Sequence, residues 1–415
     1  MTDSCDILIS GGGIAGLTAA AAFGAAGWSV ICVDPTPPIT ERDVDGSDMR
    51  TTAFLQPARA VLQDAGLWER LAPFAAPLQI MRIVDAGGTE AKPRLIRDFN
   101  AADVSDQPFG WNLPNWLMRR ELVARLAELP NVDFRPGTAT RSLFTRQTEA
   151  RVGLSDGARV HTRLVIAADG RNSAMREAAD IPVHTTRYGQ KALAFAVTHP
   201  IPHENVSTEI HRSGGPFTLV PLPDHQGQPC SAVVWMQSGP IVQELLSLDT
   251  AEFEDAMNTR SCLLYGPLKL ASRRTVWPII SQTADRLTGQ RLALMAEAAH
   301  VVPPIGAQGL NMSLGDLSCL LDLAAARPAD LGDVAMMDAY EKARMRDIRL
   351  RVQGIDLLNR ASMMRAQPLR DARALGLNAL YALPSVRHTL MRMGLGVGRA
   401  PAVADAPIAV PDYNT

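Results

Sequence analysis

Residues 5–16, CDILISGGGIAG, constrain the fold of this chain more than any other stretch. The apolar run over 5–10 predicts a buried strand. Gly11, Gly13 and Gly16 then stand as G-x-G-x-x-G. An alanine-rich helix follows to about Ala26, where Gly27 stops it. A second apolar strand over 28–33 ends at Asp34. Strand, helix and strand at this spacing make a parallel βαβ unit. The glycines permit a tight turn, close approach of backbone to a pyrophosphate, and close helix packing, while the acid suits a ribose hydroxyl. The pattern therefore favours dinucleotide binding over a chance glycine-rich turn.

Two further stretches have the same strand-to-helix character. Residues 164–168 read as a buried strand running into Asp169-Gly170-Arg171-Asn172-Ser173, with Ser173 as helix N-cap. Alone, this is equally a turn or a ligand-facing loop. Residues 291–316 hold a third: a strand over 292–295, the turn PPIGAQG, and a helix starting near Asn311. Gly306 and Gly309 let the backbone come near a ligand, and a helix start favours an electron-rich one.

The intervening chain is expected to be a loop over 36–55, a helix over 56–72, a strand over 78–85, a loop over 99–115 and a helix over 117–129. Arg50, in the first loop, is either a surface residue or faces the nucleotide. In the last helix, beginning near Arg119, Leu122 and Leu126 share a face. Short strands are expected around 131–134, 139–145 and 150–161. Alternating stretches across 187–283 predict an antiparallel sheet that could floor a substrate cavity, with one helix over 250–260. After 311 the chain reads as helical, with an apolar stripe of Met337, Tyr340, Ile348, Val352 and Ile355, and with breaks at Pro368 and Pro384. The Ala/Pro-rich tail from Gly398 is expected to be loosely ordered.

Composition narrows the chemistry. The five cysteines form no CxxC pair, against a zinc site or a disulfide framework. A net charge of −2 gives no basis for nucleic-acid binding. Asp3 and Asp6 read against a secretory leader, and no apolar run approaches the ~18 residues of a membrane span. The expectation is a cytoplasmic protein. Charge is uneven, however: from Lys342 to Arg399, twelve Lys/Arg face three Asp/Glu. Those helices either meet an anionic membrane surface or a partner protein peripherally, or pair with the acidic remainder.

In their order and separation, GGGIAG, AADGRNSAMR and ALMAEAAHVVPPIGAQGLN resemble the flavin-dependent aromatic hydroxylases related to para-hydroxybenzoate hydroxylase. GPFTLVPLP, SAVVW and PIGAQGLN resemble, within them, the ubiquinone-biosynthesis branch, which hydroxylates polyprenyl phenols. The resemblance extends to about residue 396. It implies an α/β fold: a Rossmann-like FAD-binding domain from residues 1–72, 101–182 and 286–370, an inserted antiparallel β-sheet substrate domain from 73–100 and 183–285, and C-terminal helices and tail over 371–415. It implies FAD as cofactor, NAD(P)H as electron donor, and a phenolic, polyprenylated substrate that receives one atom of O2 through a flavin hydroperoxide. Protein partners would belong to quinone biosynthesis. A hydroxylase of another soluble phenol and a non-catalytic flavin-binding scaffold are the alternatives.

Position by position, the resemblance implies that Gly11, Gly13 and Gly16 hold the pyrophosphate and Asp34 the adenosine ribose. Arg50 would lie near the flavin, Arg119 (or Arg120) on the ribose or phosphate, and Asp169 and Gly170 at a motif serving both FAD and NAD(P)H. Pro304 would lie beside the isoalloxazine ring, and Gln308, Gly309, Leu310 and Asn311 at its pyrimidine edge. The chain departs from the pattern at Ala296-Glu297, where Gly-Asp is usual and where Glu297 keeps the carboxylate, and at Gly306-Ala307, where Ala-Gly is more frequent. Asp34 stands where Glu is commoner. His300 either packs the turn or moves a proton, with packing favoured. Phe195, Phe217 and Trp235 are candidate pocket aromatics, and His184, His199, His203 and His211 lie in the same region.

Overall fold

The computed structural model describes residues 2–364 and 366–395; the tail from Gly398 lies outside them. The glycine-rich turn leaves the middle of a parallel array. Strands Leu292–Leu294, Arg159–Ala167, Thr2–Ser10, Val30–Asp34 and Val132–Pro136 run side by side in that order, all parallel. Ile7, Leu8, Ile9, Val165, Ile166, Leu292 and Leu294 are completely buried, as continuous apolar strands of a parallel sheet covered on both faces must be. The register sets Ser10 beside Val33 and Ala167, and Ala167 beside Leu294. Because the strands are parallel, the chain exits from three of them at one edge. That alignment brings the three motifs together.

The second layer is a nine-stranded sheet. Its centre is antiparallel: Thr275–Ala284, Val183–Thr198, Gln228–Ser238, Pro216–His225 and Val206–His211. Ile80–Asp85 joins Val206–His211 in parallel and Leu95–Asn100 closes that side. At the other edge His300–Val301 pairs with Gln282 and Thr283, so the third motif's turn is hydrogen-bonded to the nine-stranded sheet. Strand alternation separates two cores. Leu193, Phe195, Phe217, Val233 and Trp235 pack with Phe253 and Met257 of helix Thr250–Ser261, whereas Ala192 and Met236 join the core shared with the parallel sheet.

Some expectations need correction. The supposed loops over 36–55 and 99–115 contain strands Thr51–Leu55 and Gly110–Pro114, which pair with each other, and Gly110–Pro114 pairs on its other side with Ala76–Leu78. Neither strand alternates cleanly, and each is specified by its distant partner. The helix expected over 56–72 is interrupted at Gly66, where φ is +71°, and becomes Gln56–Asp64 and Trp68–Leu71. The helix of the third motif begins at Gln308, not near Asn311, and runs to Ala326. The C-terminal region folds as Val334–Met363, Gln367–Ala382 and Pro384–Leu395. Pro368 and Pro384 sit at helix starts, where a missing N–H costs nothing. Of the predicted stripe, Met337, Tyr340, Ile348 and Ile355 are buried and Val352 is partly so.

Candidate cofactor and active site

The glycines of the first turn divide by what a side chain would meet. Gly11 has φ +111° and its missing Cβ would lie 2.3 Å from the Ala168 carbonyl oxygen; that of Gly16 would lie 1.9 Å from the Gly11 oxygen. These two let the turn close on its neighbours. A Cβ on Gly13 would meet no protein atom within 4 Å, so Gly13 borders open space at the start of helix Ile14–Ala25. That helix has no side-chain N-cap and no acid in its first turn, which leaves its positive end for an anion. Asp34 closes the other side. One carboxylate oxygen accepts from the Gly12 N–H at 2.6 Å and the other from Thr36 N–H at 2.8 Å.

Arg50 and Arg119, distant in sequence, meet on one carboxylate that sequence reasoning missed. Asp48 accepts from Arg50 Nε and Nη2, both at 2.7 Å, from Arg119 Nη2 at 3.3 Å, and from Asn115 Nδ2 at 3.1 Å. Burial of Asp48 would raise its pKa, but Arg50, then Asn115 and Arg119, hold it below the ordinary carboxylate value. The Arg50 guanidinium also lies 5.3 Å from the Trp277 ring centroid. An acid two residues before an arginine in a polar loop gave no sequence signal of this role.

At the second motif, Asp169 Oδ2 accepts from Met175 N–H at 3.2 Å and Ser10 Oγ at 3.3 Å, while Oδ1 is buried without a partner. Gly170 has φ +84° with nothing near its absent Cβ. Ser173 caps helix Ala174–Ala178, as expected. Arg176 donates to the Ala298 carbonyl at 3.1 Å, and Arg171 Nε lies 3.5 Å from Glu297. The second and third motifs are thus tied together, and Glu297, half exposed, has Arg171 as its partner in the protein.

The third motif carries its two departures in the left-handed region: Ala296 and Ala307 both have φ +55°. Glycine takes that conformation without the strain alanine incurs. Ala296 is held from outside. The Ala296 N–H donates to Asp316 Oδ2 at 3.3 Å, His300 Nε2 contacts the same oxygen at 2.7 Å, and Arg344 Nε donates to Oδ1 at 2.8 Å. Asp316, His300 and Arg344 are all buried. His300 is thus buried against a carboxylate, and its Nδ1 has no partner among the described residues. Arg344 also reaches Asp347, which accepts from Arg351, and Arg351 Nη1 donates to Gln308 Oε1 at 2.7 Å. This chain of contacts runs from His300 to the first residue of the Gln308–Ala326 helix. Asn311 fastens that helix to strand Thr51–Leu55: it accepts from Leu55 N–H at 2.8 Å and donates to the Ala53 carbonyl at 2.7 Å. Gly309 is exposed at the helix start and Leu310 is half buried behind it. Pro304 is half buried in the turn where Ile305 N–H bonds the Pro303 carbonyl.

The open side of Gly13 and the uncapped start of helix Ile14–Ala25 lie at the carboxyl edge of the parallel sheet, and the Gln308–Ala326 helix likewise starts without a side-chain cap. They suit a long dinucleotide carrying an anionic middle and a polar ring. Residues 4–353 match the family described as the FAD binding domain. The chain belongs to that family. It is an FAD-dependent monooxygenase. Ubiquinone hydroxylase UbiL of Rhodospirillum rubrum is 31% identical over 394 residues, covering 94% of this chain and 89% of that protein. The 3-demethoxyubiquinol 3-hydroxylase of Escherichia coli is 25% identical, over 94% and 98% of the two chains. Among solved structures, p-nitrophenol 4-monooxygenase PnpA from Pseudomonas putida superposes with a TM-score of 0.76 at 16% identity, covering 96% of this chain and all of that one; this likeness establishes the fold.

In this flavin monooxygenase the aromatics Phe195, Phe217 and Trp235 are core residues packed against one face of the nine-stranded sheet. His199 is buried on Ser231 and the Ile201 carbonyl, and His203 contacts the Leu222 carbonyl. His184 and His211 pair with Asp285 and Glu209. No group of three metal-ligating side chains occurs among the described residues.

Proposed function

We propose that this monooxygenase hydroxylates the aromatic ring of a polyprenyl-phenol precursor of ubiquinone, with O2 as oxygen source and NAD(P)H as electron donor. The observation that carries the reading is the near full-length match to ubiquinone hydroxylase UbiL. FAD, when bound, supplies the redox and oxygen chemistry. The protein's residues do the rest. Gly11, Gly13 and Gly16 admit the pyrophosphate to the helix start and Asp34 takes the adenosine ribose. Asp48 sets Arg50 and Arg119 at the edge of the site. Asp169 and Glu297 offer carboxylates to sugar or ribityl hydroxyls. The start of the Gln308–Ala326 helix would meet the pyrimidine edge, where its dipole would be worth roughly 0.3–2 kcal/mol toward negative charge. Pro304 would border the ring and help limit water there. The test is complementation of a strain blocked in quinone hydroxylation, with the accumulated precursor identified. Failure of an expressed, FAD-loaded protein to restore quinone, together with turnover of a short soluble phenol, would move the assignment to another phenol hydroxylase. Stopped-flow reduction with NADH and NADPH checks the donor; absence of reduction by either would call for a protein reductant.

The C-terminal helices support peripheral contact with an anionic membrane. Arg344, Arg351, Arg360, Arg373 and Arg387 pair with acids, so much of the basic excess is used internally. What remains is an exposed apolar set, Leu350, Leu357, Leu358, Leu369, Leu375, Leu380 and Leu383, alongside Lys342, Arg346, Arg349 and Arg392. No described helix is long and apolar enough to cross a membrane. Cosedimentation with anionic vesicles at low salt, reversed at high salt, is expected. No binding at low salt would leave this face to a quinone-biosynthesis protein.

A further inference from the structure

Beside the cofactor edge lies an apolar cluster that belongs to neither of the two large cores. Leu55, Phe109 and Met391 are buried in it, and Met81, Phe99 and Val104 pack against it half-buried. Leu55 ties the cluster to the third motif. Its N–H donates to Asn311 Oδ1 at 2.8 Å, and Asn311 stands in the first turn of the Gln308–Ala326 helix. The cluster thus adjoins the start of that helix.

Met391 reaches the cluster from helix Pro384–Leu395 and is only 6% exposed. The polar anchor of that helix is weak: Arg387 lies 3.8 Å from Asp103 and 4.9 Å from the Tyr381 ring centroid, and its Nε is buried without a partner among the described residues. The preceding helix, Gln367–Ala382, is fastened better. Its Arg373 reaches the buried Asp85 at 2.7 Å, and its Tyr381 stands edge-on to Phe99 with ring centroids 5.5 Å apart. Pro384 begins the last helix and has no N–H to bond backward, so the junction at Leu383 is a point where the two helices can part.

We propose that this cluster is the seat of the substrate's isoprenoid tail, and that Met391 is a plug which the tail displaces. The inference rests on the polyprenyl-phenol reading of the site. Such a tail offers no polar group and needs apolar surface close to the reacting ring; the cluster supplies it from Leu55 outward. A methionine side chain is unbranched and adaptable, and exchanging it for an alkyl chain replaces one apolar contact by another. Movement of helix Pro384–Leu395 then uncovers Met81, Phe99 and Val104, which are only half-buried already.

Hydrogen exchange read by mass spectrometry on the FAD-loaded, full-length enzyme tests this, with 2-farnesylphenol and 2-methylphenol added in the same detergent. 2-Farnesylphenol should raise exchange over residues 384–395 several-fold, and 2-methylphenol should leave it as in detergent alone. Met391→Ala should raise that exchange without ligand and increase the preference for 2-farnesylphenol over 2-methylphenol, taken as the ratio of their dissociation constants, several-fold. Val104→Asp puts a charge into the cluster from outside the helix and should cut the same preference at least tenfold; it decides if Met391→Ala does not fold by circular dichroism. Binding of 2-farnesylphenol with exchange over 384–395 unchanged, or an unchanged preference in Val104→Asp, would overturn the plug and leave the polyprenyl-phenol reading standing. 2-Methylphenol binding as tightly as 2-farnesylphenol would remove that reading and the proposal with it.

Discussion

At the scale of single residues, glycines that look alike in the sequence have opposite reasons for being glycine. Gly16 is small because the protein itself occupies the space; Gly13 borders space that no protein atom fills. Gly13→Ala should therefore leave the fold's stability within about 1 kcal/mol while weakening FAD at least tenfold. Gly16→Ala should destabilise the apoprotein itself. Chemical denaturation of the apo forms beside FAD titration by fluorescence separates the two; equal loss of stability in both variants would refute the distinction. The left-handed alanines illustrate the same dependence on place. Ala296 and Ala307 were visible as departures from a family pattern, but that both adopt φ +55° emerged only with the backbone traced.

At the scale of elements, the cofactor edge is held by polar contacts between helices. Asp316 on the Gln308–Ala326 helix and Arg344 on the Val334–Met363 helix are both buried and 2.8 Å apart. Removing one partner strands the other, at a cost of about 3–5 kcal/mol, so Arg344→Met should lower the urea midpoint substantially. Arg351→Met acts further out, where it removes the donor to Gln308 Oε1 while the bond from Gln308 Nε2 to the Gly306 carbonyl stays. It should leave stability nearly intact while raising the FAD dissociation constant several-fold and shifting the flavin absorption envelope. A spectrum and affinity identical to the wild type would show that Gln308 needs no outside support. The apolar stripe of the long helix was legible because it repeats at helical spacing. The Arg351–Gln308 contact was not, since forty-three positions separate its partners and nothing periodic links them.

At the scale of the whole molecule, stability should depend on acid pH through several paired carboxylates at once. Asp316 and Asp347 are opposed by burial but held down by His300 and Arg344, and by Arg351 and Arg344, respectively. Asp48 and Asp85 are likewise opposed by burial and held down by arginines. Each folded-state pKa lies below that of the unfolded chain. Their stabilisation is therefore complete above the unfolded value of about 4 and is lost as pH falls through the folded values. Urea midpoints measured from pH 7 to pH 3 should be flat at first and fall steeply below about pH 4. A midpoint insensitive to pH across that lower range would show that these pairs do not contribute.

The sequence by itself determined the parallel βαβ start, the three strand-to-helix exits, the antiparallel insertion and the helical C-terminal region. Each is written in local periodicity or turn chemistry, which neighbouring residues are enough to specify. The tertiary structure alone decided which side chains meet. Asp48 between Arg50 and Arg119, Asp316 beneath the Ala296 turn and the strand at Thr51–Leu55 all depend on segments brought together by packing. Electrostatic partnership acts over a few ångströms of space, and that distance has no counterpart in the linear order of the chain.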